Sequence, residues 1–96
     1  FCTAFPWLRP GGVYIVEDWA WAHWPAPKLW ENDYFRGRKA LTNLLTELSI
    51  ACAFDASIVA EVRVYSSLFA VIRGPAVLPR TPGGLDLSSM TASQGR

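Results

Sequence analysis

Two adjacent carboxylates, Glu17 and Asp18, followed by Trp19, Trp21, His23 and Trp24, gather the side chains able to do chemistry into eight consecutive positions. Carboxylate oxygens are the ligands that hard divalent cations such as magnesium prefer, and a cation on an alcohol oxygen lowers the cost of an alkoxide-like nucleophile. Consecutive side chains of an extended strand point to opposite faces, so Glu17 and Asp18 can share one ion only if the backbone turns at Asp18. Without that turn they are solvated strand-end acids, or Asp18 caps a helix. His23 is the only histidine, and a neutral imidazole there could take a proton from an acceptor hydroxyl; the alternative is a packed or surface residue between tryptophans. Trp19, Trp21, Trp24 and Trp30 offer flat faces suited to the C–H surface of a sugar or to a sulfonium cation, and equally to covering the end of a sheet or a partner subunit.

A strand must deliver these residues. Gly12 launches the unbroken apolar run Val13-Tyr14-Ile15-Val16, which predicts a central strand covered on both faces, as in a parallel sheet flanked by helices. In open α/β sheets ligands bind beyond the carboxyl ends of the strands, which is where Glu17 and Asp18 stand. Upstream, Phe1, Ala4, Phe5 and Leu8 have the spacing of a helix's last turns, stopped by Arg9-Pro10-Gly11-Gly12. From Trp19 to Gly37 there is no clean periodicity, and Pro25, Pro27, Asn32 and Gly37 interrupt it, predicting a long loop of the kind that forms lids and binding segments.

The clearest helix runs from Arg38 to Ala53, with Leu41, Leu44, Leu45, Leu48 and Cys52 on one stripe. Ile58, Ala60, Val62 and Val64 then alternate with Val59, Glu61, Arg63 and Tyr65, the period of a strand with one wetter side. Leu68 to Ile72 is a further short strand, and Ser66-Ser67 is too brief for a crossover, so the two pair as an antiparallel hairpin. Residues 77–96, rich in Pro, Gly, Ser and Thr, are expected as a disordered tail after a folded part at 1–76.

The 96 residues, about half of them apolar, suffice for one small domain. Nine basic and eight acidic residues without runs leave a net charge of +1, which carries no electrostatic footprint for nucleic acid or an anionic membrane. No stretch reaches the roughly 20 apolar residues of a membrane span and no leader is evident, so a soluble cytoplasmic chain is expected. Cys2 and Cys52 lack a metal or redox spacing and read as buried small hydrophobes in a reducing compartment. The start at Phe1, with a structural unit already under way, reads as the C-terminal piece of a longer protein.

The run Phe5-Pro6-Trp7-Leu8-Arg9-Pro10-Gly11-Gly12-Val13-Tyr14-Ile15-Val16-Glu17-Asp18, with the linking helix and terminal hairpin, resembles class I S-adenosylmethionine-dependent methyltransferases. It is especially similar to the branch of macrolide-sugar and rhamnosyl O-methyltransferases and the proteins labelled cephalosporin hydroxylase, over residues 1 to about 76. The resemblance implies an α/β fold, the C-terminal half of a doubly wound Rossmann-like sheet that ends in an antiparallel hairpin. It also implies S-adenosylmethionine as cofactor and a divalent cation, usually magnesium, held at Glu17 and Asp18 to orient the acceptor hydroxyls. A further acidic ligand and the glycine-rich cofactor loop belong to earlier strands, and no G-x-G occurs in this chain.

The function expected is therefore part of an O-methyltransferase acting on a hydroxyl of a sugar or glycosylated small molecule, inactive without the cofactor-binding half and a candidate homo-oligomer at full length. In it His23 is the candidate base and Trp19, Trp21 and Trp24 shape the acceptor pocket. Two alternatives of other classes stand beside it: a non-catalytic module that stacks carbohydrate on the tryptophan loop, and an inert fragment.

Overall fold

Proline decides how the chain is wound before the first strand. Pro6 has no N–H to offer the carbonyl of Cys2, so an α-helical turn cannot close there. In the computed structural model, which describes residues 1–18 and 41–91, Phe1 to Leu8 accordingly forms turns that end in one 3-10 turn, Phe5–Trp7, instead of the expected last turns of an α-helix. Its bonds span three residues, from Trp7 N–H to Ala4 O at 3.0 Å and from Leu8 N–H to Phe5 O at 3.1 Å. Phe5 is still fully buried, stacked on Phe1 with ring centroids 4.7 Å apart. Gly11, at φ 80°, makes the reversal into β1, Val13–Glu17, with a left-handed conformation that other residues seldom adopt.

Two further strands complete the described sheet, β2 at Val59–Val64 and β3 at Leu68–Arg73, in the order β1-β3-β2. Both outer strands pair antiparallel with β3 and so run in the same direction as each other. Directly paired residues share a face, and Tyr14, Val16, Val59, Val62, Phe69 and Val71 all fall on the side that joins the core. Val13 and Ile15 lie on the other side and are 49% and 55% exposed. The apolar run of β1, which predicts a central strand covered on both faces, thus stands at the end of the described strand order with one face covered. The central strand is β3, where Phe69, Ala70, Val71 and Arg73 are all buried.

The alternation expected for β2 is also re-phased. Val59 pairs with Arg73 and Glu61 with Ile72, so Ala60 is an extra residue in a β-bulge. The bulge turns Val59, fully buried, onto the same face as Val62, where strict alternation places it opposite. Ala60, expected inside, is exposed.

One face of the sheet is covered by α1, Leu41–Phe54, and α2, Leu87–Thr91, which pack on each other, α1 also meeting β2. Of the predicted leucine stripe of α1, Leu48 is fully buried and Leu44, Leu45 and Cys52 pack against the core, whereas Leu41 at the start of the helix is outside that cluster; Ala51, not part of the stripe, is also fully buried. Arg38, Lys39 and Ala40, the first residues of the helix as predicted, lie outside the described residues. Cys2 and Cys52 are free thiols packed beside the core.

The segment expected as a disordered tail is instead built into the core over its described part. Leu85, Leu87 and Met90 are 5%, 5% and 7% exposed, and Leu78 packs against them. Leu87 and Met90 are three apart on one helical face, and Asp86 caps the turn, its Oδ1 accepting from the backbone N–H groups of Ser88 at 3.1 Å and Ser89 at 3.4 Å. A few well-placed apolar residues and a cap suffice where average composition is poor; residues 92–96 lie outside the described part.

The turn after α1 is tied by Asp55, whose Oδ1 accepts from the Ser57 hydroxyl at 2.6 Å and the Ser57 N–H at 2.9 Å. These bonds, the hydroxyl's first, hold the Asp55 carboxyl below its usual range, and Ser88 and Ser89 do the same for Asp86. A carboxyl depressed by folding stabilises the fold above its unfolded pKa of about 3.9, and that contribution is lost as pH falls through the lower folded value. We therefore expect stability to decline in acid below about pH 4, and Ser57→Ala to raise the Asp55 pKa toward its ordinary value in a carbon-13 carboxylate titration. An unchanged Asp55 titration in that variant would show that the Ser57 hydroxyl bond does not form.

Candidate functional site

The β1–β3 ladder closes with Glu17 opposite Leu68, and one further backbone bond, from Asp18 N–H to Ser67 O at 2.9 Å, carries the pairing to the hairpin turn. There the chain leaves extended geometry: Asp18 has φ 50°, and among the described residues it is the non-glycine with positive φ. Left-handed backbone is costly for most L-residues and is tolerated by Asp and Asn, whose short polar side chains bond locally. The consequence is geometric. Strict strand alternation would send the two carboxylates to opposite faces, and the backbone departs from that alternation at Asp18.

Glu17 and Asp18 are both exposed, at the strand end and clear of the core. They supply two hard oxygen donors, where magnesium takes six ligands and usually keeps several waters among them. Among the described residues no three His, Cys, Asp or Glu side chains group closely enough to hold a metal ion. The donor chemistry of the pair fits a hard cation; completing its shell takes ligands beyond the described residues. His23, the candidate base, and Trp19, Trp21 and Trp24, the candidate acceptor wall, lie outside the described residues, as does Trp30.

One residue of chemical weight escapes the sequence reading. Arg73 ends β3 and is 4% exposed. A signal is present: Phe69, Val71 and Arg73 are spaced by two, so the arginine shares the face of two buried apolar residues. It stands at the end of the sheet opposite Glu17 and Asp18, about 17 Å along the strand at roughly 3.4 Å per residue.

Comparison with known proteins adds one relation. A stretch of 26 residues, 27% of this chain, is 58% identical to part of the 8-demethyl-8-alpha-L-rhamnosyl tetracenomycin-C 2'-O-methyltransferase of Streptomyces olivaceus. The match spans 7% of the length of that protein. No family model matches the chain, and no solved structure matches it. Among the described residues no helix is long and apolar enough to cross a membrane.

Proposed function

We propose that this chain forms the C-terminal part of an S-adenosylmethionine-dependent O-methyltransferase acting on a hydroxyl of a sugar or glycosylated small molecule. The observation that carries the reading is the 26-residue stretch at 58% identity to a rhamnosyl 2'-O-methyltransferase. The left-handed turn at Asp18 supports it, because a turn at that residue is what a shared cation would require of neighbouring strand-end acids. So does the half-exposed apolar side of β1, Val13 and Ile15, which is the kind of surface a larger sheet domain covers.

In this reading Glu17 and Asp18 would hold a divalent cation beside the acceptor. When bound, such a cation would supply Lewis acidity that favours the alkoxide form of a hydroxyl. His23 takes the hydroxyl proton, and Trp19, Trp21 and Trp24 set the sugar's plane by stacking. S-adenosylmethionine, when bound, supplies a methyl group on a sulfonium centre. The contribution of this chain is alignment of the acceptor oxygen, the effect from which most of the acceleration of such a displacement can come. The glycine-rich loop that would cradle the cofactor is not encoded in these 96 residues, so the chain alone is expected to bind no S-adenosylmethionine.

The test is methyl transfer from S-adenosylmethionine to rhamnosylated acceptors by the protein that includes the coding sequence upstream of Phe1. Magnesium-dependent transfer is expected, with Glu17→Gln and Asp18→Asn together lowering kcat/KM by roughly 100-fold or more, the scale of losing a directly coordinated charge. Asn is the appropriate replacement at position 18 because it tolerates positive φ where Ala would add strain. Unchanged magnesium affinity in the double variant would refute the metal role, and micromolar binding of S-adenosylmethionine by the 96-residue chain would refute its being a cofactor-free half.

A further inference from the structure

At the end of the sheet away from Glu17 and Asp18, a cavity of about 440 Å³ is lined by Pro6, Pro10, Pro75 and Leu78 together with Arg73 and Arg80. Arg73 forms its inner wall. The side chain is almost wholly buried; Nη1 donates to the Gly74 carbonyl, and the guanidinium lies 5.9 Å from the centre of the Phe5 ring. Its Nε is buried and has no hydrogen-bond partner among the described residues. Buried donors are nearly always paired, and a buried guanidinium normally faces a carboxylate. Among the described residues Arg73 makes no ion pair, and no acidic side chain lines the cavity.

The charge that shares this space has the same sign. Arg80 is held with its guanidinium 5.0 Å from the centre of the Trp7 ring and also lines the cavity. Burial first, and the Arg80 charge second, push the Arg73 pKa down from its ordinary value. Even so, arginine stays protonated, so the wall carries two positive charges. Two cations flank one concave space, and one of them is buried without a counter-charge, an arrangement whose charge a dianion would balance. A phosphate monoester carries close to two charges at neutral pH and three acceptor oxygens, and guanidinium groups match its geometry.

We propose that this cavity is a binding site for a small organic phosphate monoester, its phosphate set between Arg73 and Arg80 and its organic body against the proline-rich wall. The cavity lies at the other end of the sheet from Glu17 and Asp18, and the proposal does not depend on the methyltransferase reading. It rests on the burial and missing partner of Arg73, on the like charge of Arg80 beside it, and on the cavity they share.

The experiment is a nitrogen-15 NMR titration of the wild-type chain that follows the Arg73 Nε–H resonance, with phenyl phosphate, inorganic phosphate and acetate as probes at matched ionic strength. Phenyl phosphate is expected to shift that resonance with a dissociation constant on the order of 1 mM, and acetate at least roughly tenfold more weakly. Inorganic phosphate, lacking an organic body, is expected to bind several-fold more weakly than phenyl phosphate. Arg80→Gln, a change at an exposed position, should weaken phenyl phosphate about tenfold while leaving the fold intact. An Arg73 resonance unmoved by phenyl phosphate would overturn the site, as would an Arg80→Gln variant that binds as the wild type does. Acetate binding as tightly as phosphate would overturn the dianion, and equal affinity for inorganic and phenyl phosphate would overturn the monoester.

Discussion

Phe69→Ala is expected to lower the free energy of unfolding by about 3–5 kcal/mol, the usual range for removing a buried phenyl ring from a core. The site is unforgiving for reasons specific to this fold. Phe69 is fully buried at the centre of the sheet, on the strand that pairs with both β1 and β2. Its cross-strand neighbours on the core face are Val16 on one side and Val64 on the other. Neither can expand into the vacated volume without leaving its strand, so a cavity remains, and a cavity adds to the transfer cost. A chain of this size has roughly 5–14 kcal/mol of stability in total, so the change removes a large share of it. Urea denaturation followed by far-ultraviolet circular dichroism would show the midpoint falling with little change in slope. A midpoint within error of the wild type would mean that Phe69 is not packed as described.

Gly74→Ala is the second large effect, and it acts through backbone contact. A Cβ at position 74 would lie 2.2 Å from the carbonyl oxygen of Ser57, 2.4 Å from its carbonyl carbon and 2.6 Å from the Ala56 oxygen. Those are main-chain atoms in the turn after α1 and cannot rotate aside. Relief requires the end of β3 to move away from that turn, which strains the bonds from Gly74 N–H to Ile58 O at 2.9 Å and from Ala76 N–H to Ser57 O at 2.8 Å. Overpacking costs about 1–3 kcal/mol and each lost bond about 0.5–1.5 kcal/mol, so with both bonds strained a total of about 2–6 kcal/mol is expected. Gly11→Ala is the control. No atom of the described residues lies within 4 Å of where its Cβ would stand, so its penalty is the left-handed φ alone, about 1–2 kcal/mol. Thermal unfolding of both variants checks the comparison, and a Gly74→Ala melting temperature no lower than that of Gly11→Ala would rule out the close approach.

The two substitutions differ in how far the sequence announces them. Phe69 stands in an apolar run whose strand character is plain, so its inward role is predictable from local pattern. Gly74 reads only as a breaker after that run. Its contact is with a turn 17 residues earlier in the chain, and no local pattern encodes where such a turn comes to rest.

The same division runs through the candidate site. Local chemistry makes the strand ending in Glu17 and Asp18, the leucine stripe of α1 and the antiparallel hairpin of the last two strands legible, because hydrophobic spacing and a two-residue link report elements that neighbour each other along the chain. It also yields the condition on which the acid pair depends, a backbone turn at Asp18. Tertiary structure decided whether the turn occurs, by drawing the Asp18 N–H onto Ser67 O across the sheet. It also set which face of β1 is covered, moved Val59 inward through the bulge at Ala60, and recruited Leu85, Leu87 and Met90 into a core that composition alone did not grant them. Arg73 was decided in the same way: spacing places it on the core face, but only the closure of the 3-10 turn and the Pro75–Leu78 segment around it leaves a charged group buried with a donor unpaired. Periodicity is a property of neighbours along the chain, whereas cover, phase and burial are set by residues far apart in sequence, whose meeting depends on the whole fold.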